Sequence, residues 1–290
     1  MDGIILVDKP KDYTSRDIVN IVGKCLNTKK VGHTGTLDPL ATGVLAIAIN
    51  KGLKIASLLT SDTKEYIASV QMGVLTDTLD TSGKVLKENA NVNVSREILL
   101  AILNSFLGEY EQEVPRYSAV KVNGKRLYDY ARNNEEVDLP KRMVNIYEIE
   151  LLDFNGDYFK FRTLVSKGTY IRSLIRDIGT KLDVYCTMSD LRRIKQGIFS
   201  IDKCHSLNDI KEGNFDIVPM KEALSNYKIV EVDEGLKKKI GNGMVLDNVY
   251  NSNIVVFINR QDQVLAIYKK YDKDITKIKP LHVLEVNSES

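Results

Sequence analysis

Residues Gly32–Gly43 read GHTGTLDPLATG, and this stretch decides how the rest of the chain is organised. Its three glycines and one proline are too many for a helix or a central strand, so it is predicted to be a loop. Two glycines before Asp38 and a proline after it hold the carboxylate on a tightly specified, exposed turn. Spacing alone still favours an ordinary turn residue, because Asp before Pro is common in turns.

The segments on both sides of this loop show alternating strand and helix patterns. Gly3–Val7 is an apolar run that ends at a Lys-Pro turn, and Thr14 or Ser15 can cap the helix that follows. Behind the loop, Val44–Ile49 is predicted to be a buried strand, and residues 66–72 alternate as a strand with one buried face. Further elements are a helix over residues 96–107, strands over 143–154 and 159–165, and a helix that starts near residue 170.

The last sixty residues have a different character from the rest. After about residue 228, short strand-like runs are separated by Gly, Asn and Asp turns, a pattern typical of a small all-β unit. A chain of 290 residues is also long for one compact domain of ordinary size. We therefore predict two domains, residues 1–228 and residues 229–290.

The composition of the chain excludes several classes of protein, but it does not decide whether the chain binds a polyanion. The formal net charge is only +2, but residues 160–200 contain nine Lys or Arg against three Asp, and residues 114–145 contain seven against four acids. Basic stretches on a nearly neutral chain suit a localised nucleic-acid-binding face, and equally a solvated surface. Three scattered cysteines give no disulfide framework. Without a signal-like run or a membrane span, the expected location is the cytoplasm.

The common cofactor and metal motifs are missing from the sequence. It contains no phosphate-binding P-loop, no dinucleotide-binding glycine fingerprint after a strand, and no HExxH. With only three histidines, a metal hydrolase is not expected. The chemistry is therefore expected to use side chains alone, without a cofactor or a metal.

The loop and five further blocks resemble the TruB-type pseudouridine synthases, a family that includes dyskerin. GHTGTLDPLATGVL resembles the signature loop of the family, and the other blocks stand in family order over residues 8–201. They are DKPKDYTS, KEYIASVQMGVLTDTLDTSGKV, VPRYSAVKVNGKRLYDYAR, SKGTYIRSLIRDIG and LRRIKQGIFSI. The resemblance implies an α+β catalytic fold with a central mixed, largely antiparallel sheet flanked by helices. The tail resembles a PUA-like RNA-binding domain more weakly.

The resemblance assigns a role to individual residues. It makes Asp38 the catalytic carboxylate, with Arg172 as its ion-pair partner, and it places Tyr66 against the target base. The remaining substrate-binding positions that it implies are His33, Tyr170, Leu191 and Lys9. The basic, tyrosine-rich insert at about residues 109–142 corresponds to a thumb-like RNA clamp, with Lys121, Lys125 and Arg126 as the phosphate-binding side chains. Read without the family, this insert is equally consistent with a long solvated loop.

The implied reaction converts uridine to pseudouridine at position 55, in the T stem-loop of tRNA, with the target nucleotide flipped out of its stack. The carboxylate can act as a nucleophile or abstract a sugar proton, and the sequence does not choose between these routes. An arginine partner favours the ionised carboxylate that either route needs. We expect a monomer without an obligatory protein partner.

Three alternatives remain open at this stage. Another pseudouridine synthase family would act on a different tRNA or rRNA uridine, but it would lack the GHTGTLDPLATG context. A glycoside hydrolase would pair Asp38 with Asp77 or Asp80, because that chemistry needs two carboxylates. A catalytically silent RNA-binding or RNA-folding protein would keep the scaffold without the reaction, a reading that the combination of Asp38, Tyr66 and Arg172 disfavours.

Overall fold

The computed structural model describes residues 1–60 and 63–284, and these form two sheets, two small hairpins and a set of short helices. The strands before residue 228 are β1 (Gly3–Lys9), β2 (Val31–His33), β3 (Thr42–Ile49), β4 (Lys64–Met72), β5 (Val74–Thr76), β6 (Val85–Glu88), β7 (Gly108–Glu113), β8 (Lys121–Val122), β9 (Lys125–Arg126), β10 (Lys141–Phe154), β11 (Tyr158–Val165), β12 (Cys186–Gln196) and β13 (Phe199–Ser200).

The helices of the same part of the chain are mostly short. They are α1 (Ser15–Cys25), α2 (Ala56–Thr60), α3 (Arg96–Asn104), α4 (Leu127–Arg132), α5 (Ile171–Leu182), α6 (Leu207–Glu212) and α7 (Met220–Ala223), with 3-10 turns at Asn50–Ile55 and Ile201–Lys203. Among the described residues, no helix has the length and apolar character needed to cross a membrane.

The larger sheet confirms the predicted mixed, largely antiparallel arrangement. Its order is β1-β3-β12-β4-β11-β10-β7, with β2 added to β3 and β13 added to β12. Among the described strands of this sheet, only the β3–β12 pair is parallel. Gly43 lies at this parallel contact with a φ of +102°, and a Cβ there would approach the Arg193 carbonyl oxygen to 2.2 Å. The glycine that closes the signature loop is therefore what lets β3 and β12 meet.

Both faces of the sheet are covered, and strands β1 and β3 show this most clearly. Their side chains alternate between two hydrophobic clusters, so nearly every residue of GIILV and GVLAIAI is fully buried. The first cluster contains Ile18 and Val22 of α1 and the apolar face of α5. Helices α1 and α5 therefore pack on the same face of the sheet through their apolar sides.

The described residues after α7 form a five-stranded sheet. Its elements are β14 (Lys228–Glu231), α8 (Glu234–Gly241), β15 (Leu246–Asp247), β16 (Ile254–Ile258), β17 (Val264–Tyr271) and β18 (Asp274–Val283). The order is β14-β16-β17-β18-β15. The β character was predicted, but helix α8 was not. Residues 285–290, which close the predicted second domain, lie outside the described residues.

The second hydrophobic cluster joins the two sheets. Ile4, Leu6 and Val44 from the larger sheet share it with Val256 and Ile267 from the smaller one. At its edge, Lys221 Nζ lies 2.6 Å from Asp262 Oδ1. The C-terminal sheet thus covers the opposite face of the larger sheet, together with Leu59 of α2 and Ala223 of α7.

Candidate active site

The loop of Asp38 is held in place from three sides. Thr14 caps α1 through a reciprocal capping box with Asp17, which leaves Ser15 as the first helical residue. The Ser15 hydroxyl accepts a hydrogen bond from the Leu37 amide at 2.8 Å. Arg193, on β12, donates to the carbonyl oxygens of Val44 at 2.7 Å and Gly35 at 2.9 Å. Because these two carbonyls lie on opposite sides of Asp38, Arg193 fixes both arms of the loop.

Lys9 supports the same loop from the end of β1. Its side chain is fully buried, and Nζ donates to the carbonyl oxygens of Pro10, Tyr13 and Pro39 at 2.8, 2.7 and 3.3 Å. Burial lowers the pKa of Lys9 to about 8, and the negative charge of Asp38 opposes this shift. Lys9 therefore donates its three hydrogen bonds to backbone carbonyls, and in this way it supports the loop that carries Asp38.

Asp38 and Arg172 form a two-point ion pair. Arg172 Nε lies 2.9 Å from Asp38 Oδ2, and Nη2 lies 3.3 Å from Oδ1. The side chain of Arg172 is 6% exposed and that of Asp38 is 36% exposed. Such a pair fixes the plane of the carboxylate, while the exposed part of Asp38 stays available to a substrate.

Arg172 is in turn held by groups from other segments. Its Nη1 donates to the Thr78 carbonyl and its Nη2 to the Tyr117 carbonyl, both at 2.9 Å. The carboxylate of Asp80 is buried and lies 4.0 Å from Nη1. Arg172 therefore links the signature loop, the segment after β5 and the insert.

A cavity of about 760 Å³ opens in front of Asp38. Its walls come from the signature loop, β4, β12, the start of α5 and the insert. The described lining residues are Gly35, Thr36, Leu37, Asp38, Ser57, Thr60, Lys64, Tyr66, Ser118, Ala119, Arg142, Lys167, Gly168, Thr169, Tyr170, Ile171, Arg172, Leu191 and Arg193. This volume suits a nucleotide-sized ligand.

Tyr66, Leu191 and Tyr170 line this cavity together with Asp38 and Arg172. Tyr66 lies on β4 and Leu191 on the neighbouring β12, and each is about 95% buried. Tyr170 lies just before α5, where its backbone is fixed by two hydrogen bonds with the Gln112 side chain. The Arg142 guanidinium lies over the Tyr170 ring, 5.3 Å from its centroid. The structure therefore brings these five sequence-selected residues to one site.

His33 and Lys9 are not among the described residues that line the cavity. His33 is the last residue of β2 and the second residue of the signature loop, and its buried Nδ1 has no hydrogen-bond partner in the described part of the chain. Burial lowers the pKa of His33, and the charges of Arg16 and Arg193 lower it further. A neutral imidazole at neutral pH follows from this environment.

The three predicted clamp residues lie together on the hairpin β8–β9. Asn123 and Gly124 form its turn with positive φ values of 51° and 82°, the geometry of a tight hairpin. Lys121 and Arg126 are exposed, whereas Lys125 lies 2.6 Å from the Glu135 carboxylate. The clamp residues are therefore not equivalent, since one of them already has an anionic partner.

Several residues of the site escaped the sequence analysis. They are Arg193 and Gln196 on β12, Lys64 on β4, Ser118 in the insert and Arg142 on β10. Arg193 stands two residues after Leu191, so strand alternation could have placed both on one face. The others come together only through the fold and have no local signal of this kind.

The geometry of the site suits a reaction in which a carboxylate acts as a nucleophile or as a base. The Asp38 carboxylate, anchored by a buried guanidinium, faces a cavity with an aromatic and an aliphatic wall. Such a carboxylate can attack an electrophilic carbon or accept a proton from a planar molecule held against those walls.

Comparison with known proteins identifies the family. The model of the TruB family pseudouridylate synthase N-terminal domain matches residues 23–171, and that of the tRNA pseudouridylate synthase B C-terminal domain matches residues 172–226. The tRNA pseudouridine synthase B of Clostridium tetani is 42% identical over 97% of this chain and all of its own length. That of Bacillus cytotoxicus is 42% identical over all of this chain and 99% of its own.

Solved structures give the same result. The chain resembles a protein of a Cbf5-Nop10-Gar1 complex, with a TM-score of 0.74 and 25% identity over 98% of this chain and 85% of that one. An H/ACA RNP bound to a substrate RNA containing 2′-deoxyuridine has a chain with the same score and identity, over 99% and 86%. The family models together span the loop, the cavity and the larger sheet apart from β1. The chain therefore belongs to the TruB family of pseudouridine synthases.

Proposed function

We propose that this chain converts uridine to pseudouridine at position 55, in the T loop of tRNA. The observation that supports this most directly is the Asp38–Arg172 pair at the wall of a nucleotide-sized cavity. The relatives that cover nearly the whole chain are named tRNA pseudouridine synthase B, which favours tRNA over another RNA.

The reaction needs only groups that this cavity supplies. The C1′–N1 bond breaks, the base turns, a C1′–C5 bond forms, and the proton lost from C5 is matched by one gained at N1. Asp38 acts as the nucleophile at the sugar or as the base that removes a sugar proton. Tyr66 stacks on the flipped base, Leu191 packs against it, and Arg172 holds the carboxylate in its orientation. His33 contacts RNA beside the loop, and Tyr170 lines the pocket.

The remaining assignments concern binding. In this proposal residues 1–228 are the catalytic domain, and residues 229–290 are a PUA-like domain that adds contacts to full-length tRNA. The insert at about residues 109–142 grips the T stem-loop through Lys121, Lys125 and Arg126. The enzyme works as a monomer in the cytoplasm.

The test uses an unmodified tRNA transcript, with pseudouridine mapped at single-nucleotide resolution. The wild-type protein should modify position 55 alone. Asp38→Asn should leave no detectable product, since it removes the charge and the proton-accepting power with little change in shape. Asp190→Asn is the matched control, because Asp190 is exposed on β12 beside the cavity and should leave the reaction intact. Modification at another site, or product from Asp38→Asn, would contradict the proposal.

A further inference from the structure

Arg142 is a cation in the cavity wall without an anionic partner in the described part of the chain. It is half-buried and lines the same cavity as Asp38. Its side chain makes no ion pair with the described residues and donates no hydrogen bond to them. The buried cations of the same wall already have acceptors, which are Asp38 for Arg172, the carbonyls of Gly35 and Val44 for Arg193, and the Thr60 carbonyl for Lys64. Arg142 is therefore available to an anion.

The sheet and the turn before α5 fix the position of Arg142. It is the direct partner of Gln112 across β10 and β7, so both side chains lie on the same face of the sheet. Gln112 holds the Tyr170 backbone through hydrogen bonds of 2.8 and 3.1 Å, and the Arg142 guanidinium lies over the Tyr170 ring. A Cβ at Gly168 would lie 3.2 Å from Arg142 Nη1, so the guanidinium also lies against this turn. These neighbours hold Arg142 beside the cavity without neutralising its charge.

The contact with Tyr170 leaves the hydrogen-bonding groups of Arg142 unused. Arginine contacts aromatic rings through the flat face of its guanidinium, whereas its N–H groups point outward in the guanidinium plane. Two such groups match two oxygens of a phosphate. Asp38 is the only carboxylate among the described lining residues, and it repels a phosphate. A nucleotide in this cavity therefore has its negative charge best placed near Arg142, and the exposed Lys167 adds positive charge to the same wall.

We propose that Arg142 binds a phosphodiester that flanks the flipped nucleotide, and that the Tyr170 ring orients the guanidinium for this contact. While the C1′–N1 bond is broken, the base is detached from the ribose, and only the two phosphodiesters connect the ribose to the RNA. An anchor on one of them keeps C1′ in front of Asp38 while the base turns. This inference rests on the proposed function, because its ligand is the flipped nucleotide.

The experiment is a double-mutant cycle between Arg142 and single phosphates of a T stem-loop. One neutral methylphosphonate replaces the linkage 5′ of the target, the linkage 3′ of it, or a linkage at the open end of the stem. A 2′-deoxy residue precedes each such linkage, because a 2′-hydroxyl would cleave it, and the reference hairpin carries the same residue with an ordinary phosphate. All proteins carry Asp38→Asn, so that the target stays uridine. Fluorescence anisotropy measures the affinities.

The variants separate charge from shape. Arg142→Gln removes the charge but keeps a planar group beside Tyr170, and Arg142→Lys keeps the charge without the planar fork. Lys141→Gln is the matched control. Lys141 is the preceding residue of β10, its side chain lies on the other face of the strand, and its ammonium lies 3.4 Å from the Glu111 carboxylate.

The expected result is a coupling between Arg142 and one flanking phosphate. Arg142→Gln should weaken binding of the reference hairpin by about 10-fold, the low end for a hydrogen bond to a charged group at a half-exposed site. The methylphosphonate at that linkage should weaken binding to the parent protein by a similar factor, but binding to Arg142→Gln by less than about 2-fold. Arg142→Lys should keep part of this coupling. Lys141→Gln should show additive effects with all three methylphosphonates.

Additive effects of Arg142→Gln with both flanking methylphosphonates would overturn the inference. Equal coupling to the linkage at the end of the stem would also overturn it, because that would indicate long-range charge attraction alone. A purely structural role of Arg142 would weaken binding of every hairpin alike and would therefore give additive effects. Failure of the proposed function looks different, because the protein with Asp38 intact would then form no pseudouridine at position 55, whereas the coupling in binding could still be measured.

Discussion

At the scale of single residues, the first prediction concerns the two hydrogen bonds between Arg172 and Asp38 and their effect on the rate. Arg172→Lys keeps the charge but loses the planar fork that engages both carboxylate oxygens and two carbonyls. One lost charge-assisted bond costs about 1.5–3 kcal/mol, so the single-turnover rate should fall by about 10- to 100-fold. Rapid-quench assays at saturating RNA measure this rate.

The control for Arg172 lies one helical turn further along α5. Arg176 pairs with Glu113 at 2.8 Å, and Arg176→Lys makes the same chemical change away from Asp38. This variant should keep nearly the wild-type rate. Equal losses in both variants would mean that the rate depends on the stability of α5 and not on the pair with Asp38.

Lys9 carries a prediction about pH. Burial lowers its pKa from 10.5 to about 8, so in the folded protein the ammonium loses a proton as pH rises through 8. A neutral amine has two N–H donors and cannot serve three carbonyls, so the Asp38 loop loosens and the rate should fall above pH 8.

The same shift in pKa affects stability. Between pH 8 and 10.5 the unfolded chain binds this proton and the folded chain does not. In that window Lys9 therefore makes the free energy of unfolding rise with pH.

Above pH 8 the rate should fall while the contribution of Lys9 to the free energy of unfolding rises, and these opposite changes make the prediction easy to check. Single-turnover rates and urea midpoints are measured from pH 7 to 9.5 for wild type and Lys9→Met. The variant should be slower at pH 7, and its rate should lack the fall that begins near pH 8. An unchanged alkaline fall in Lys9→Met would assign that pH dependence to another group.

The limits of sequence reasoning are also visible at this scale. Asp38 and Arg172 are 134 positions apart, and no spacing rule connects them. Their pairing was expected only because the surrounding motifs resemble a family. Asp80 and Ser118 stood within quoted motifs, yet their burial beside Arg172 depends on how three segments meet in the fold. A residue's type could be read from the sequence, but its exposure could not.

At the scale of structural elements, Gly43 decides whether β3 and β12 can pair in parallel. Gly43→Ala combines a strained φ of +102° with a 2.2 Å approach to the Arg193 carbonyl, so we expect a loss of about 2–4 kcal/mol in the free energy of unfolding. Gly124→Ala is the control, because its φ is also positive but nothing lies within 4 Å. Urea denaturation should show a clearly smaller loss for Gly124→Ala. Equal losses would mean that φ strain alone matters.

The hairpin β8–β9 carries a prediction about RNA binding. Lys121→Ala and Arg126→Ala should each weaken binding of the T stem-loop and reduce the slope of log affinity against log salt by about 0.7–0.9. Lys125→Ala should reduce it less, because the Glu135 carboxylate at 2.6 Å already balances this charge. Fluorescence anisotropy at several salt concentrations measures the slopes. An equal reduction of the salt slope in all three variants would show that Lys125 leaves Glu135 when RNA binds.

Elements with a strong hydrophobic period were predicted more reliably than short polar ones. The strand expected over residues 143–154 appears as β10 (Lys141–Phe154), and the helix expected over 96–107 appears as α3 (Arg96–Asn104). Helix α8 was missed because its sequence EGLKKKIG offers only two strongly apolar positions, one of which, Ile240, is fully buried against the small sheet. Tertiary packing stabilises this helix, and a local pattern does not reveal that.

At the scale of the whole molecule, the shared hydrophobic cluster ties the two sheets together. The sequence suggests a separable C-terminal domain, but Ile4 and Leu6 of β1 pack in one core with Val256 and Ile267 of the small sheet. Removing residues 229–290 would expose the second face of β1 and β3, which consists almost entirely of aliphatic side chains. Burial of such surface contributes about 25 cal/mol per Å², so its exposure should destabilise residues 1–228 and promote aggregation.

The last prediction follows from this shared core. The full chain should unfold in one calorimetric transition, and a chain that ends at Tyr227 should melt at a clearly lower temperature. Below that temperature the truncated chain should keep its single-turnover rate on a T stem-loop, because Asp38, Tyr66 and Arg172 all lie before residue 228.

Ile267→Ala in the full chain tests the same contact between the sheets without removing any segment. It removes a fully buried side chain at the contact between the sheets and should lower the free energy of unfolding by about 2–5 kcal/mol, while the transition stays single. Two separate transitions, or a truncated chain that melts like the full one, would mean that the sheets fold independently and that their contact adds little stability.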